Sequence, residues 1–253
     1  MGKTKLERII PKEVTVAVWK DHEARYQFAG RFVKDKVVLD VACGAGIGSD
    51  YLCRSGARSC TGFDLSPEAI KYARNHYTGP QFSVGDVLRL PVDDESVDVV
   101  VSFETIEHVP DPPRFVDECY RVLKPGGLFI GSTPHVPVTR WIYPGDNPFH
   151  LQEFTARQLA NILSPHFEDV RLYAQDLVVY PAMLAKQLCV RVLNLMGLTD
   201  HLLRAMGRSD LFTRSSDTNY KFPDTDAIRP YGLFWLRQPA VTIATATKPA
   251  NQR

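Results

Sequence analysis

Three acidic residues and a run of glycines mark where this chain could do chemistry. The stretch Asp40-Val41-Ala42-Cys43-Gly44-Ala45-Gly46-Ile47-Gly48 closes an apolar run and opens a segment of helical pattern. Glycine has no Cβ, so its backbone can turn sharply and approach a ligand closely. The spacing is GxGxG, whereas a dinucleotide pyrophosphate is cradled by GxGxxG. An acid stands at the strand end instead, and a carboxylate suits a cation such as the ammonium of a methionine moiety. Asp64 ends the next apolar run and can accept both hydroxyls of a ribose. Asp86, in Gly85-Asp86-Val87, can accept an amino group such as that of adenine. Each acid also has a plainer reading: Asp40 and Asp64 as helix caps, Asp86 as a turn residue.

A second constellation follows in Phe103-Glu104-Thr105-Ile106-Glu107-His108. Glu104, Glu107 and His108 fall at i, i+3 and i+4, which places them on one face if a helical turn starts there. His150 lies further on, in Asn147-Pro148-Phe149-His150-Leu151-Gln152-Glu153-Phe154. Two carboxylates and two imidazoles can bind Mg²⁺, Mn²⁺ or Zn²⁺. Such a cation lowers the pKa of an aliphatic hydroxyl and fixes its oxygen for attack. Two metal-free readings use the same residues: a Glu-His pair that caps a helix and closes a pocket, or His108 as a general base. His135, in Thr133-Pro134-His135, is another candidate base. Cys43 has no basic partner and reads as small filler in the turn.

The elements that must position these groups are legible as strands at 36–42, 58–64, 81–84, 97–103, 128–132, 169–175 and 240–247. Helices alternate with them at 49–55, from Ser66-Pro67 to His76, at 112–123 and at 155–164, and Lys124-Pro125-Gly126-Gly127 supplies a stop signal. Strand–helix alternation is the signature of a doubly wound parallel sheet, and unbroken apolar runs fit strands covered on both faces. In such a sheet the turns at the carboxyl ends of the strands hold the ligand. Asp21-His22-Glu23-Ala24-Arg25-Tyr26-Gln27-Phe28-Ala29 reads as a helix before the first strand. Within 181–206, Met183, Leu184, Leu188, Val192, Leu195, Leu202, Leu203 and Met206 recur at helical spacing. That pattern suits a lid packed on the core, or a surface for a lipid-linked substrate or a membrane face.

The bulk numbers exclude several classes. Thirty Lys plus Arg against 29 Asp plus Glu leave a net charge of +1, without the basic surplus of a nucleic-acid binder. The five cysteines form no CxxC pair, so no zinc or redox motif is visible. The start lacks a signal-peptide apolar region and no uncharged apolar run reaches membrane-spanning length, which makes a cytoplasmic location the expectation.

VVLDVACGAGIGS, TGFDLS, GDVLRLP, VDVVVSFETIEHV and RVLKPGGLFIGSTP, in this order, closely resemble the motifs of class I S-adenosylmethionine (SAM)-dependent methyltransferases. The resemblance covers about residues 36–175. It implies an α/β fold: a Rossmann-like, doubly wound, seven-stranded sheet, mostly parallel with an antiparallel last strand. A helical insertion would lie between the last two strands. The segments would be N-terminal cofactor-covering helices at 1–35, the SAM-binding core at 36–175, the insertion at 176–235, and the last strand and tail at 236–253. From the family, Asp40, Ala42, Gly44 and Gly46 would face the methionine end. Asp64 and Leu65 would hold the ribose, Asp86 and Val87 the adenine, and Phe103 would line the pocket. Arg25 or Tyr26 would touch the methionine carboxylate. The ExxEH turn resembles that of small-RNA 2′-O-methyltransferases and ubiquinone-pathway O-methyltransferases, in which a further His completes a metal site. That implies Glu104, Glu107, His108 and His150 around Mg²⁺ or Mn²⁺, with His108 and His150 acting on the acceptor. Glu-Arg-Ile-Ile-Pro, His-Glu-Ala-Arg-Tyr and Asn-Pro-Phe-His-x-x-Glu-Phe look like bacterial methyltransferases of surface-glycan and glycolipid pathways. A sugar hydroxyl of a small or lipid-linked saccharide is thus the first expected acceptor, and a polyprenyl-quinone catechol the second. A SAM-binding module without catalysis is the rival of a different class.

Overall fold

The first strand, β1 (Val37–Val41), places successive side chains on opposite faces of a sheet, and both faces are covered. In this computed structural model, which describes residues 16–136, 149–179, 228–230 and 237–250, Val38 joins one apolar cluster and Leu39 and Val41 join another. Helices α1 (Val16–Gly30) and α2 (Ile47–Arg54) cover the Val38 face through Tyr26, Phe28, Ala29 and Leu52. On the opposite face α4 (Pro112–Val122) brings Phe115, Val116 and Cys119, and α5 (Ala156–Leu163) brings Leu159 and Leu163.

The strands β2 (Ser59–Asp64), β3 (Gln81–Val84), β4 (Val97–Phe103), β5 (Leu123–Pro134), β6 (Glu168–Val179), β7 (Arg229–Pro230) and β8 (Arg237–Thr247) complete one sheet, in the order β3-β2-β1-β4-β5-β8-β6-β7. The first five strands pair in parallel, and β8 lies antiparallel between β5 and β6. This is the expected doubly wound sheet with an antiparallel last strand. Its eighth member, the two-residue β7 on the outer edge of β6, has no counterpart in the sequence reading.

Local signals set the helix starts. Ser66 caps α3 (Pro67–His76) by accepting from the Ala69 N–H, with Pro67 at the first position. Asp111 accepts from the Arg114 N–H at the head of α4, and Thr155 and Gln158 form a reciprocal capping box on α5. Lys124-Pro125-Gly126-Gly127 ends α4 as expected, yet β5 already pairs at Leu123. The four residues are slack between the Val97–Leu123 and Val99–Leu128 pairings. The strand β6 runs to Val179, opposite Arg237, so the expected insertion begins within a core strand. Its helical pattern at 181–206, the segment 1–15, Asn147-Pro148 and the tail from 251 lie outside the described residues.

Candidate active site

The carboxyl ends of β1, β2, β3 and β4 gather the glycine turn and its acids along one rim. Within the turn Ala42, Gly44 and Gly46 all adopt positive φ (61°, 54° and 84°). Gly46 must be glycine on two counts: its φ, and a Cβ there would stand 2.6 Å from that of Ala73. A Cβ on Gly44 would meet nothing within 4 Å, so this side of the turn faces open space.

Asp64, at the tip of β2, ties the turn to α3. One carboxylate oxygen accepts from the Gly44 N–H at 2.9 Å and the other from the Ser66 N–H at 2.8 Å. Asp64 is therefore not the cap of α3, a role that Ser66 takes. Each oxygen still carries a lone pair for a ligand hydroxyl. Asp86 is exposed and accepts from the Leu88 N–H at 2.9 Å, an Asx turn that fixes its carboxyl beyond β3. Leu65 and Val84 stand out beside these acids, 63% and 46% exposed, and Val87 packs against the core. Phe103, at the tip of β4, is buried with its ring edge-on to Tyr26 at 5.0 Å.

Asp40 is placed differently from the other two acids. It is fully buried beneath the turn, where Ser49 donates to one oxygen at 2.6 Å and the Tyr26 hydroxyl reaches both at 3.3 and 3.4 Å. Burial drives its carboxyl up to about 7, against the pull of the Ser49 and Tyr26 hydroxyls and with a further push from Asp64. Burial and the Asp40 charge likewise raise the Cys43 thiol, which fits the filler role. Arg25 is also buried, and its guanidinium donates to Gln175 of β6 at 2.9 Å while its Nε has no hydrogen-bond partner among the described residues. Ser49 and Gln175 were not singled out in the sequence. Nothing local marks them, since their roles depend on helices and strands far apart in the chain.

Past β4 the chain does not form the α-turn the spacing suggested. Glu104 takes a left-handed φ of 52°, and only Ile106–His108 form a short 3₁₀ turn. Glu104 consequently faces Ser132 of β5, whose hydroxyl donates to its carboxylate at 2.9 Å. The other three expected ligands converge: one ligand atom each from Glu107, His108 and His150 lies within 4.8 Å of the rest. Two backbone bonds fasten the His150 loop there, since the Glu107 carbonyl accepts from the N–H groups of Leu151 (2.9 Å) and Gln152 (3.2 Å). The rings of His108 and His150 meet edge to face at 4.9 Å.

The polar detail of this cluster places one ring hydrogen. His108 Nδ1 lies 2.9 Å from the Phe149 carbonyl, which can only accept, so Nδ1 carries the hydrogen. In the neutral ring Nε2 then offers a lone pair, 3.9 Å from Glu107 Oε1. Glu107 is buried; Thr133 donates to its Oε2 at 3.0 Å, while among the described residues Oε1 has no hydrogen-bond partner. Burial, and then the neighbouring Glu104 charge, hold the Glu107 carboxyl well above its usual range. Two lone pairs facing each other call for a cation or a proton between them. The cluster therefore fits a divalent metal by the chemistry of its donors and by its orphaned carboxylate oxygen. His135, the other candidate base, is buried with Nδ1 3.1 Å from the Thr242 hydroxyl.

This sheet order, with a glycine turn and acids at the strand tips, is the Rossmann-like arrangement expected of a class I SAM-dependent methyltransferase, and the segment that carries it is similar to that family. Residues 39–131 match the family described as a methyltransferase domain. A probable S-adenosylmethionine-dependent methyltransferase of Mycolicibacterium smegmatis is 39% identical over 162 residues, 62% of each chain. A ubiquinone biosynthesis O-methyltransferase of Coxiella burnetii is 36% identical over 115 residues, 44% of this chain and 49% of that one. The chain thus spans less than two thirds of the length of these curated relatives. In fold it is similar to a solved SAM-dependent methyltransferase of Thermotoga maritima, with a TM-score of 0.61 and 18% identity, covering 92% of this chain and 93% of that one. Among the described residues no helix is long and apolar enough to cross a membrane.

Proposed function

We propose that this protein transfers a methyl group from SAM to a hydroxyl oxygen, and that Glu107, His108 and His150 prepare that hydroxyl. The observation carrying the reading is the fixed tautomer of His108, which aims a basic nitrogen at a buried carboxylate oxygen lacking a partner. On the cofactor side, Asp64 and Leu65 take the ribose, Asp86 and Val87 the adenine, and the open face of the turn at Gly44, which Gly46 shapes, the methionine end. The buried Arg25 guanidinium serves the methionine carboxylate, since a buried charge demands a counter-ion. Asp40 acts from beneath the turn through its charge.

Methyl transfer to oxygen is an in-line displacement, so the chain's contribution is positioning, exclusion of water and removal of the hydroxyl proton. A divalent ion such as Mg²⁺ or Mn²⁺, held by Glu107, His108 and His150, would acidify the acceptor hydroxyl and fix its oxygen. Glu104 stands beside this cluster, restrained by Ser132. In the metal-free alternative His108 Nε2, the ring's one available lone pair, would take the hydroxyl proton while His150 orients the acceptor.

The acceptor is a sugar hydroxyl of a surface glycan, glycolipid or glycosylated metabolite, on the likeness of the 147–154 loop and the N-terminal segment to glycan-pathway methyltransferases. A polyprenyl-quinone catechol is the second reading, favoured by the similarity to the Coxiella burnetii protein. Either acceptor presents neighbouring hydroxyls to one cation. A peripheral membrane contact through residues 176–235 accompanies either one. The decisive experiment is calorimetric titration with SAM and with NAD, followed by transfer of radiolabelled methyl to glycolipid and catechol acceptors with and without EDTA. Binding of NAD in place of SAM refutes the cofactor assignment, and full turnover in EDTA refutes the metal.

A further inference from the structure

Asp40 is enclosed from every side by named groups. From α1 comes the Tyr26 hydroxyl, from α2 the Ser49 hydroxyl, from β2 the carboxylate of Asp64 and the thiol of Cys60, and from the turn the thiol of Cys43. Arg25 acts on the Tyr26 hydroxyl and makes no ion pair with Asp40 among the described residues. The donors that stabilise the ionised carboxylate are thus two neutral hydroxyls, and one of them belongs to the N-terminal helix.

The Tyr26 ring is delivered there by shape. A Cβ on Gly48, in the first turn of α2, would stand 1.9 Å from the ring carbon Cζ, so the ring occupies the notch that bare glycine leaves. Phe103 buttresses the ring from β4 at 5.0 Å. Gly48 is therefore glycine to admit a tyrosine, and its place in the glycine run does not mean that it contacts the ligand.

We propose that Tyr26 is a positioning residue for the cofactor: its hydroxyl favours the charged form of Asp40 under the glycine turn, and so couples the seating of α1 to methyl-donor binding through one proton. This rests on the SAM reading of the rim. With Asp40 ionised, Tyr26 and Ser49 both donate to it. With Asp40 protonated, the carboxyl hydrogen must point at one of those oxygens, and that hydroxyl must turn to accept. The carboxyl sits at about 7, so both forms are populated near neutral pH. A cationic donor above the turn favours the ionised form. Binding at or below that pH should then release a proton from Asp40.

The test compares wild type with Tyr26→Phe, which keeps the ring in its notch and removes only the hydroxyl. Carboxyl ¹³C NMR of the ligand-free proteins, with Asp40→Asn to assign the signal, should show the Asp40 midpoint moved up by roughly half to one pH unit in Tyr26→Phe. Calorimetry with SAM should then find Tyr26→Phe several-fold weaker than wild type near neutral pH, the two converging on the alkaline side. An unmoved midpoint overturns the proposal. So does an affinity loss of the same factor at every pH, which is the signature of loosened packing. Failure of wild type to bind SAM at any pH would instead remove the cofactor reading, and the NMR midpoint still judges the Tyr26–Asp40 coupling.

Discussion

Replacing Asp40 by Asn should make the protein more stable and a poorer binder of SAM. Asp40 is fully buried, and its carboxyl is lifted from 3.8 to about 7. In the unfolded chain the same group titrates near 3.9. Between these values the folded state holds a proton that the unfolded state has released, so this group's contribution to stability falls as pH rises from about 4 to 7. A lift of roughly three pH units corresponds to a ceiling of about 4 kcal/mol, and local relaxation would leave about 2–4 kcal/mol. Asparagine is nearly isosteric, and the Ser49 and Tyr26 hydroxyls can accept from its amide as readily as they donate to a carboxylate. Urea unfolding at about pH 5 and pH 8 is the assay. The gain of Asp40→Asn should be about a third of its full size at the lower pH and reach its full size at the higher. Equal gains at both, or a less stable variant at pH 8, would refute the argument that ionised Asp40 is a cost the fold carries.

Two other outcomes are expected. Asp64→Ala should weaken SAM binding by roughly 1–3 kcal/mol in calorimetry, the scale of hydrogen bonds to a charged group. It should also free the Gly44 and Ser66 N–H groups, seen as faster amide exchange at both positions. Lys248→Met should lower unfolding free energy by about 2–4 kcal/mol in urea, because it leaves the Tyr120 and Leu123 carbonyls, now bonded at 3.1 and 2.8 Å by a buried ammonium, without a donor.

The glycine turn and the rim of acids proposed for the cofactor were legible as local geometry. An apolar run ending in Asp40, a glycine turn, and Ser66-Pro67 after Asp64 each specify their own geometry within a few residues. The Glu107–His108–His150 cluster was legible in three of its four expected members and not in its arrangement. Four ligands were expected on the premise of a helical face, but Glu104 has a left-handed backbone, which no non-glycine residue advertises, and its carboxylate goes to Ser132. His150 joins Glu107 and His108 as expected, because β4 and β5 are neighbours. The burial of Asp40 could not be read from the sequence. It depends on Tyr26 arriving from α1 and on Gly48 making room, contacts between elements whose relative placement no local pattern encodes.

The register of β6 against β8 also bears on how such a protein can change its task. Val179 and Arg237 are partners across these strands, so the chain leaves and re-enters the sheet at adjacent points, and among the described residues between them Arg229–Pro230 pair with Tyr173 and Ala174. A segment with abutting ends can be lengthened or exchanged at a small entropic cost, since loop closure depends only weakly on length. Residues 180–236 are in this sense a cassette. On the proposed function, grafting a different one onto the same two strand ends should redirect which acceptor is methylated while leaving SAM affinity unchanged.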